Sequence, residues 1–408
     1  MKKGASMALE YSPIVLDSIN HDNFPKVELF VRLDGKYTLY KPEKTKLTIH
    51  NIERLRENGT EFVYIDSKDS EEVQEHVEKR LDDSRAASLL SQYSKNLICS
   101  QMIIKAVDDV FKKPNQPAMF EKCRAILRKV GFRFEDRDEL IALFGKLEDN
   151  FDKYLINHST QTTILALFMG ERLFNAGRDD LVSVGTGAMV HDIGMLSISS
   201  DITEKMDVLS ENEYYRVKLH PKYGIDLLNS AGVTDRIVHD ITLGHHERYD
   251  GSGYPRGLDG FEIPRYAMLV SICDIYCALT MNRPYKSAST PAEALRTMKS
   301  ERKLFDPDTL AGFLGIMEDT ALPETVEVAK EAPAAARSID MAEIRELKKQ
   351  MRSPNADRNK LVKMHSIITD NINSTYGEER AALTELRTEL KNLLKSLFSD
   401  VSGDTTSW

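Results

Sequence analysis

From about residue 71 to residue 320, apolar side chains recur three and four positions apart, and six of the ten histidines fall between residues 158 and 246. That spacing is the signature of helices with one buried face. AASLLSQYSKNLICSQMIIKAVDDVF and EKCRAILRKVGF carry it, and Lys113-Pro114-Asn115-Gln116-Pro117 breaks the run between them. Nearer the N-terminus the period changes. Val27, Leu29, Val31 and Leu33 alternate as in a half-buried strand, and Asp34-Gly35 turns the chain into YTLY. Thr48 caps a short helix that Gly59 ends, and FVYI follows as a further strand. The fold class expected is mainly α, with a small α+β domain over 1–80, a helical connector over 81–150 and a helical core domain over 151–325. A linker rich in Ala, Pro and Glu spans 326–340, and helices span 341–400. Spaced leucines with interleaved charges in that last stretch suit a helical hairpin or coiled-coil partner surface, and equally a stripe packed on the main domain.

Bulk properties narrow the classes. A chain of 408 residues, 41% apolar and 29% charged, has room for two or three domains with sizeable cores. A net charge of −9 and a pI near 5.7 argue against a general nucleic-acid binder, which must neutralise phosphates with Lys and Arg. The N-terminal stretch lacks the apolar run of a secretory signal, and no window approaches the roughly 18 to 20 apolar residues of a membrane span. Cys99, Cys123, Cys273 and Cys277 are too few for a disulfide scaffold and read as buried free thiols. A reducing cytoplasm is the expected compartment.

The chemistry concentrates in a set of histidines and acids: Asn157-His158-Ser159, His191-Asp192-Ile193-Gly194, His220-Pro221, His245-His246-Glu247 and Asp274. Imidazole and carboxylate together suit first-row transition ions, whereas a calcium site would use oxygen ligands. In His191-Asp192 the histidine can bind one ion while the carboxylate bridges to a second. Two such ions sharing a hydroxide would present an in-line nucleophile to a phosphodiester. On a regular helix His245 and His246 would point about 100° apart, so at most one faces a given ion unless the backbone bends. A lone His-Asp pair is common, and the weight comes from joint occurrence. His21, His50, His76, His239 and His365 read as structural. Immediately after the last histidine pair, HHERYDGSGYPRGLDG combines Asp250-Gly251, Ser252-Gly253 and Pro255 in a tight loop whose glycines let backbone approach a ligand closely. Arg283 and Lys286, next to Pro284-Tyr285, offer a fork and a point charge to a phosphate.

HDIG, HHERYDGSGYP and the ALT-x-x-RPYK segment resemble the HD-GYP family of cyclic di-GMP phosphodiesterases, a subgroup of the HD superfamily, over about residues 150–320. The resemblance implies an all-helical bundle holding His158, His191, Asp192, His220, His245, His246 and Asp274 as metal ligands, with Asp192 bridging. It puts Gly253 and Tyr254 in the substrate loop and Arg283 and Lys286 on the phosphates. The implied cofactors are two transition ions, iron first, then manganese, with zinc or nickel as further options. The implied reaction is hydrolysis of cyclic di-GMP to pGpG or GMP. Three positions depart from the family pattern. Tyr154 stands where some members have a Glu for a third metal, so two ions are expected. Met195 replaces a Lys after HDIG, and Cys277 replaces a second Asp. These departures leave two rival readings beside a slow enzyme: a cyclic di-GMP receptor without turnover, and a hydrolase of another cyclic dinucleotide. Protein partners would use the N-terminal domain, the GYP loop or the C-terminal helices, and a homodimer fits the leucine spacing.

Overall fold

The computed structural model describes residues 11–318 apart from 131–133, 135, 136, 152, 204, 206, 261 and 283–286, together with scattered residues between 345 and 389. Strands β1 (Tyr11–Val15), β2 (Leu29–Leu33), β3 (Lys36–Lys41) and β4 (Phe62–Asp66) form one antiparallel sheet in the order β1-β4-β2-β3. Between them runs α1 (Ile49–Glu57), and α2 (Ser70–Asp82) follows the last strand. Thr48 and Asn51 bond reciprocally at the start of α1, and Gly59 takes a φ of +72° just beyond its end. Asp34 and Gly35 both have positive φ, the geometry of a two-residue hairpin between Leu33 and Lys36.

One sequence expectation fails in this sheet, and one strand carries no sequence signal. The alternation through Leu33 does not continue inward: Phe30 is buried, while Leu33, next to the turn, is 59% exposed. No periodicity marks β1, because YSPIV contains Pro13, which cannot donate to a ladder. It is tolerated because β1 lies at the sheet edge.

The rest of the described chain is helical: α3 (Ser84–Ser88), α4 (Gln92–Lys112), α5 (Pro117–Lys129), α6 (Arg137–Asn150), α7 (Tyr154–Phe174) and α8 (Arg178–Val190). A 3-10 turn over Ile193–Ser197 leads to α9 (Ser200–Thr203), α10 (Glu211–Val217), α11 (His220–Ser230) and α12 (Arg236–Gly244). Then come α13 (Arg265–Thr280), α14 (Pro291–Ser300) and α15 (Pro307–Met317). Helix α7 is the axis of the bundle, packed against α4, α8 and α13. Its run from Asn157 to Thr163 is polar yet buried, and the Thr160 and Thr163 hydroxyls donate to carbonyls one turn back.

Sheet and bundle share one apolar core, and α4 is the seam, buried on most of its circumference. The buried Val15 amide donates to Gln101 Oε1 at 2.8 Å, and Ser94 Oγ donates to Asp17 at 2.7 Å. The Tyr64 hydroxyl donates to Asn150 Oδ1 at 2.7 Å, and Arg32 donates to the Asp149 carbonyl at 2.9 Å, tying α6 to the sheet. The stretch 326–340 lies outside the described residues. In 341–400, Lys348 Nζ lies 3.1 Å from the Glu389 carboxylate, and Ile368 and Leu386 are buried. No helix among the described residues is long and apolar enough to cross a membrane.

Candidate metal centre

Four helix ends and two helix interiors converge on one point. His158 lies one turn into α7, and Asp274 lies in the middle of α13. His191 follows the last residue of α8, with Asp192 directly after it. Gly194 brings the next candidate ligand in. A Cβ there would sit 1.9 Å from the His220 carbonyl oxygen and 2.5 Å from the Gly224 amide, so only glycine lets the turn after Asp192 lie on the first turn of α11. That contact sets His220 against Asp192. Helix α12 ends at Gly244, His245 keeps helical backbone angles as its C-cap, and His246 lies one residue beyond.

Asp192 stands between two histidine groups. Its Oδ1 lies 3.1 Å from His220 Nε2 and 3.6 Å from His245 Nε2, and its Oδ2 lies 3.3 Å from His191 Nε2. One group of candidate ligands comprises Asp192, His220, His245 and His246, and the other His158, His191 and Asp192. Within each group the ligand atoms lie within 4.8 Å of one another. Asp274 closes the far side: Oδ1 is 2.8 Å from His158 Nε2 and 3.9 Å from His191 Nε2, and Oδ2 is 3.9 Å from His246 Nδ1. The expected divergence of His245 and His246 does not occur. Their rings are 4.2 Å apart at the end of α12, and both belong to the same candidate ligand group.

The donor set fits a metal. His191 Nδ1 donates to the Ala188 carbonyl at 2.8 Å, His220 Nδ1 to Val217 at 2.8 Å, and His245 Nδ1 to Thr242 at 3.1 Å. Each bond commits the Nδ1 proton and turns a bare Nε2 lone pair into the cluster. His220 Nε2 and His245 Nε2 then face each other at 3.1 Å, which two lone pairs tolerate only with a cation or proton beside them. His191 Nε2 is buried and makes no hydrogen bond of acceptable geometry among the described residues. Burial lowers the pKa of both His245 and His246, the latter strongly, and so favours the neutral, ligating imidazole. Burial would raise Asp192 and Asp274, but the facing histidines hold both below the ordinary carboxylate range. At His191 burial is outweighed by Asp192 and Asp274, which push the pKa up to about 9. A divalent ion would compete with that proton for the same nitrogen.

The loop after His246 is held by a residue to which sequence reasoning assigned no task. The Glu247 carboxylate is buried and accepts from the Arg256 amide at 2.8 Å and the Leu258 amide at 2.9 Å. Gly253 packs on the same point: a Cβ there would lie 2.3 Å from the Arg248 amide nitrogen and 2.5 Å from Glu247 Cα. The close approach expected of Gly253 toward a ligand is thus an approach to the protein's own backbone. Gly251 and Gly257 take positive φ, and the Asp250 side chain accepts from the Ser252 amide at 3.1 Å. Tyr254 lands on the metal centre, its ring 4.7 Å from that of His246. Burial raises its hydroxyl pKa, and the charges of Asp192 and Asp274 add to the rise.

Tyr154 stacks on His158 with ring centroids 5.7 Å apart and planes 4° from parallel, so an aromatic face stands where a carboxylate ligand would reach. Met195 is half-buried on the turn after Asp192. Cys277 is fully buried one turn beyond Asp274, and burial pushes its thiol pKa up. Arg283 and Lys286 lie outside the described residues. Of the histidines read as structural, His239 donates to the Val233 carbonyl at 2.8 Å, and His76 accepts from the Asn20 amide at 3.0 Å.

A helical bundle carrying this His/Asp cluster is the architecture of an HD domain, and residues 149–309 match the HD domain family model. The HHERYDGSGYP loop lies on the same centre, and over these residues the chain is similar to the HD domain family. A cyclic di-GMP phosphodiesterase of Pseudomonas aeruginosa is 35% identical over 164 residues, which are 40% of this chain and 39% of that protein. A cyclic di-GMP phosphodiesterase response regulator of Xanthomonas campestris is 43% identical over 131 residues, 31% of this chain and 34% of that protein. A 3′3′-cGAMP-specific phosphodiesterase of Vibrio cholerae is 30% identical over 192 residues, 46% of this chain and 41% of that protein. The chain thus spans well under half the length of each of these relatives. The solved structure of an HDG"Y"P protein from Bdellovibrio bacteriovorus superposes with a TM-score of 0.54 at 19% identity, covering 76% of this chain and all of that one. At that identity the likeness is one of fold.

Proposed function

We propose that residues 149–309 hydrolyse a 3′–5′ phosphodiester of a cyclic dinucleotide, cyclic di-GMP first, giving pGpG or GMP. The observation that carries this reading is Asp192, whose two oxygens face different histidine groups. A carboxylate so shared suits a pair of ions, with His158, His191, His220, His245, His246 and Asp274 completing the ligand set. The resemblance to the HD-GYP family favours iron, then manganese, and imidazole with carboxylate is compatible with zinc and nickel as well. When bound, such ions would supply Lewis acidity at the phosphate and an activated water for in-line attack. The chain's own residues do the positioning. Carbonyl-anchored imidazoles hold fixed directions, Tyr254 walls one side of the centre, and Arg283 and Lys286 would offset charge on the phosphate. The stacked Tyr154 favours two ions over three.

Two further readings each have a specific observation behind them. Met195 and the buried Cys277 leave the centre fewer polar groups, which favours a receptor that binds cyclic di-GMP without turnover. The similarity to a 3′3′-cGAMP-specific phosphodiesterase favours an adenine-containing substrate. Cytoplasmic location, protein contacts through the N-terminal domain, the GYP loop or the C-terminal helices, and a homodimer belong to the same reading. Gel filtration with light scattering reads the dimer.

Protein reconstituted with iron or manganese and mixed with each cyclic dinucleotide, followed by chromatography, separates the three. Turnover of cyclic di-GMP should fall at least about 10²-fold in Asp192→Asn, as for loss of a group that stabilises developing charge. Metal analysis should find close to two ions per chain in the wild type and fewer in the variant. Tight binding with no product over hours would favour the receptor, and three ions per chain would sink the inference from Tyr154.

A further inference from the structure

We infer that Lys218 and Tyr214 form a substrate-binding subsite beside the metal centre, Lys218 for the phosphodiester remote from the ions and Tyr214 for a nucleobase. The inference rests on the cyclic-dinucleotide reading above. Lys218 directly follows α10 and lies two residues before His220, so it projects from the segment that delivers a metal-centre histidine. Its ammonium lies 4.6 Å from the Tyr214 ring centre and 5.5 Å from the Tyr254 ring centre, both within cation–π range. Tyr254 in turn lies 4.7 Å from His246, so a single aromatic ring separates the ammonium from the cluster.

Two features mark this cation as free for a ligand. It is half-buried, and among the described residues it makes no ion pair, although Lys205 nearby is committed to Glu213. Aromatic walls on two sides hold a positive charge without neutralising it. Tyr214 is 50% exposed, with its ring against the same ammonium that faces Tyr254, so the two tyrosines share one rim. A cyclic dinucleotide carries two phosphodiesters and two bases, so one phosphate at the ions leaves the other needing a cation and a base needing a flat partner. The turn bearing the uncharged Met195 packs through Gly194 directly on His220. Lys218, on the adjoining segment, places a positive charge at this rim.

The test uses the full chain loaded with manganese, with cyclic di-GMP as the probe. In Lys218→Met, KM should rise about tenfold or more while kcat stays within about threefold and metal content is unchanged. The rise of KM with added salt should be shallower in the variant than in the wild type. Lys218→Arg should recover most of the loss, and Tyr214→Ala should raise KM by about tenfold with Tyr214→Phe near the wild type. A KM in Lys218→Met within about twofold of an active wild type would overturn the subsite and leave the phosphodiesterase reading standing. A wild type that neither binds nor cleaves any cyclic dinucleotide would overturn both.

Discussion

In three of the histidines of the centre each ring nitrogen has one task. In His191, His220 and His245 the Nδ1 proton is spent on a backbone carbonyl three residues upstream, so the orientation of Nε2 is set by the local fold. Glu247 does for the loop what those carbonyls do for the histidines. In Glu247→Gln one of the two loop amides would face an N–H, leaving a buried donor unpaired at a cost of about 1–3 kcal/mol. The expected result is a KM for cyclic di-GMP raised about tenfold with the metal content of the wild type, read by steady-state kinetics beside metal analysis. An unchanged KM would show that the loop needs no such anchor. The histidines were legible in the sequence because ligand chemistry uses few residue types at recurring spacings. The task of Glu247 was not, because its partners are amides nine and eleven residues away, which no side-chain pattern displays.

Among the elements, helix ends carry the site, and their approach distances are set by small residues. Gly194→Ala would force the turn after Asp192 away from α11, since the new Cβ would meet the His220 carbonyl and the Gly224 amide. It should lower the metal content below that of the wild type though no ligand is altered. It should also destabilise the chain by at least the roughly 1–3 kcal/mol typical of overpacking. Metal stoichiometry and a thermal melt read both, and a fully loaded variant would show that the two segments can part without loss. Most elements were legible from period and punctuation: α1 from Thr48 and Gly59, the hairpin from Asp34-Gly35, and the break before α5 from its prolines. Strand β1 was illegible because Pro13 counts against a strand unless the strand is known to lie at an edge.

For the whole molecule, the sheet and the bundle are stitched through α4 and α6. Gln101→Leu would leave the Val15 amide buried without its acceptor, again about 1–3 kcal/mol, and should lower the melting temperature by a few degrees. Wild-type melting would mean that water or a shift of β1 replaces the bond. Because apolar side chains of the sheet and of α4, α7 and α13 belong to one core, the loss should be felt in the helical part as well as in the sheet. Sequence patterning separated an α+β region from a helical one, but that these share a core depends on α4 being apolar on nearly all faces.

By itself the sequence determined the helical class, the small N-terminal sheet and the set of residue types able to hold a metal, because these follow from short-range periodicity and side-chain chemistry. Tertiary structure alone decided that the two oxygens of Asp192 face separate histidine groups and that both His245 and His246 turn inward. It also decided that Gly253 is spent on backbone packing and that a lysine between two tyrosine rings stands at the rim. Each of those depends on the distance and angle between segments far apart in the chain, and close packing sets such distances where no local pattern encodes them.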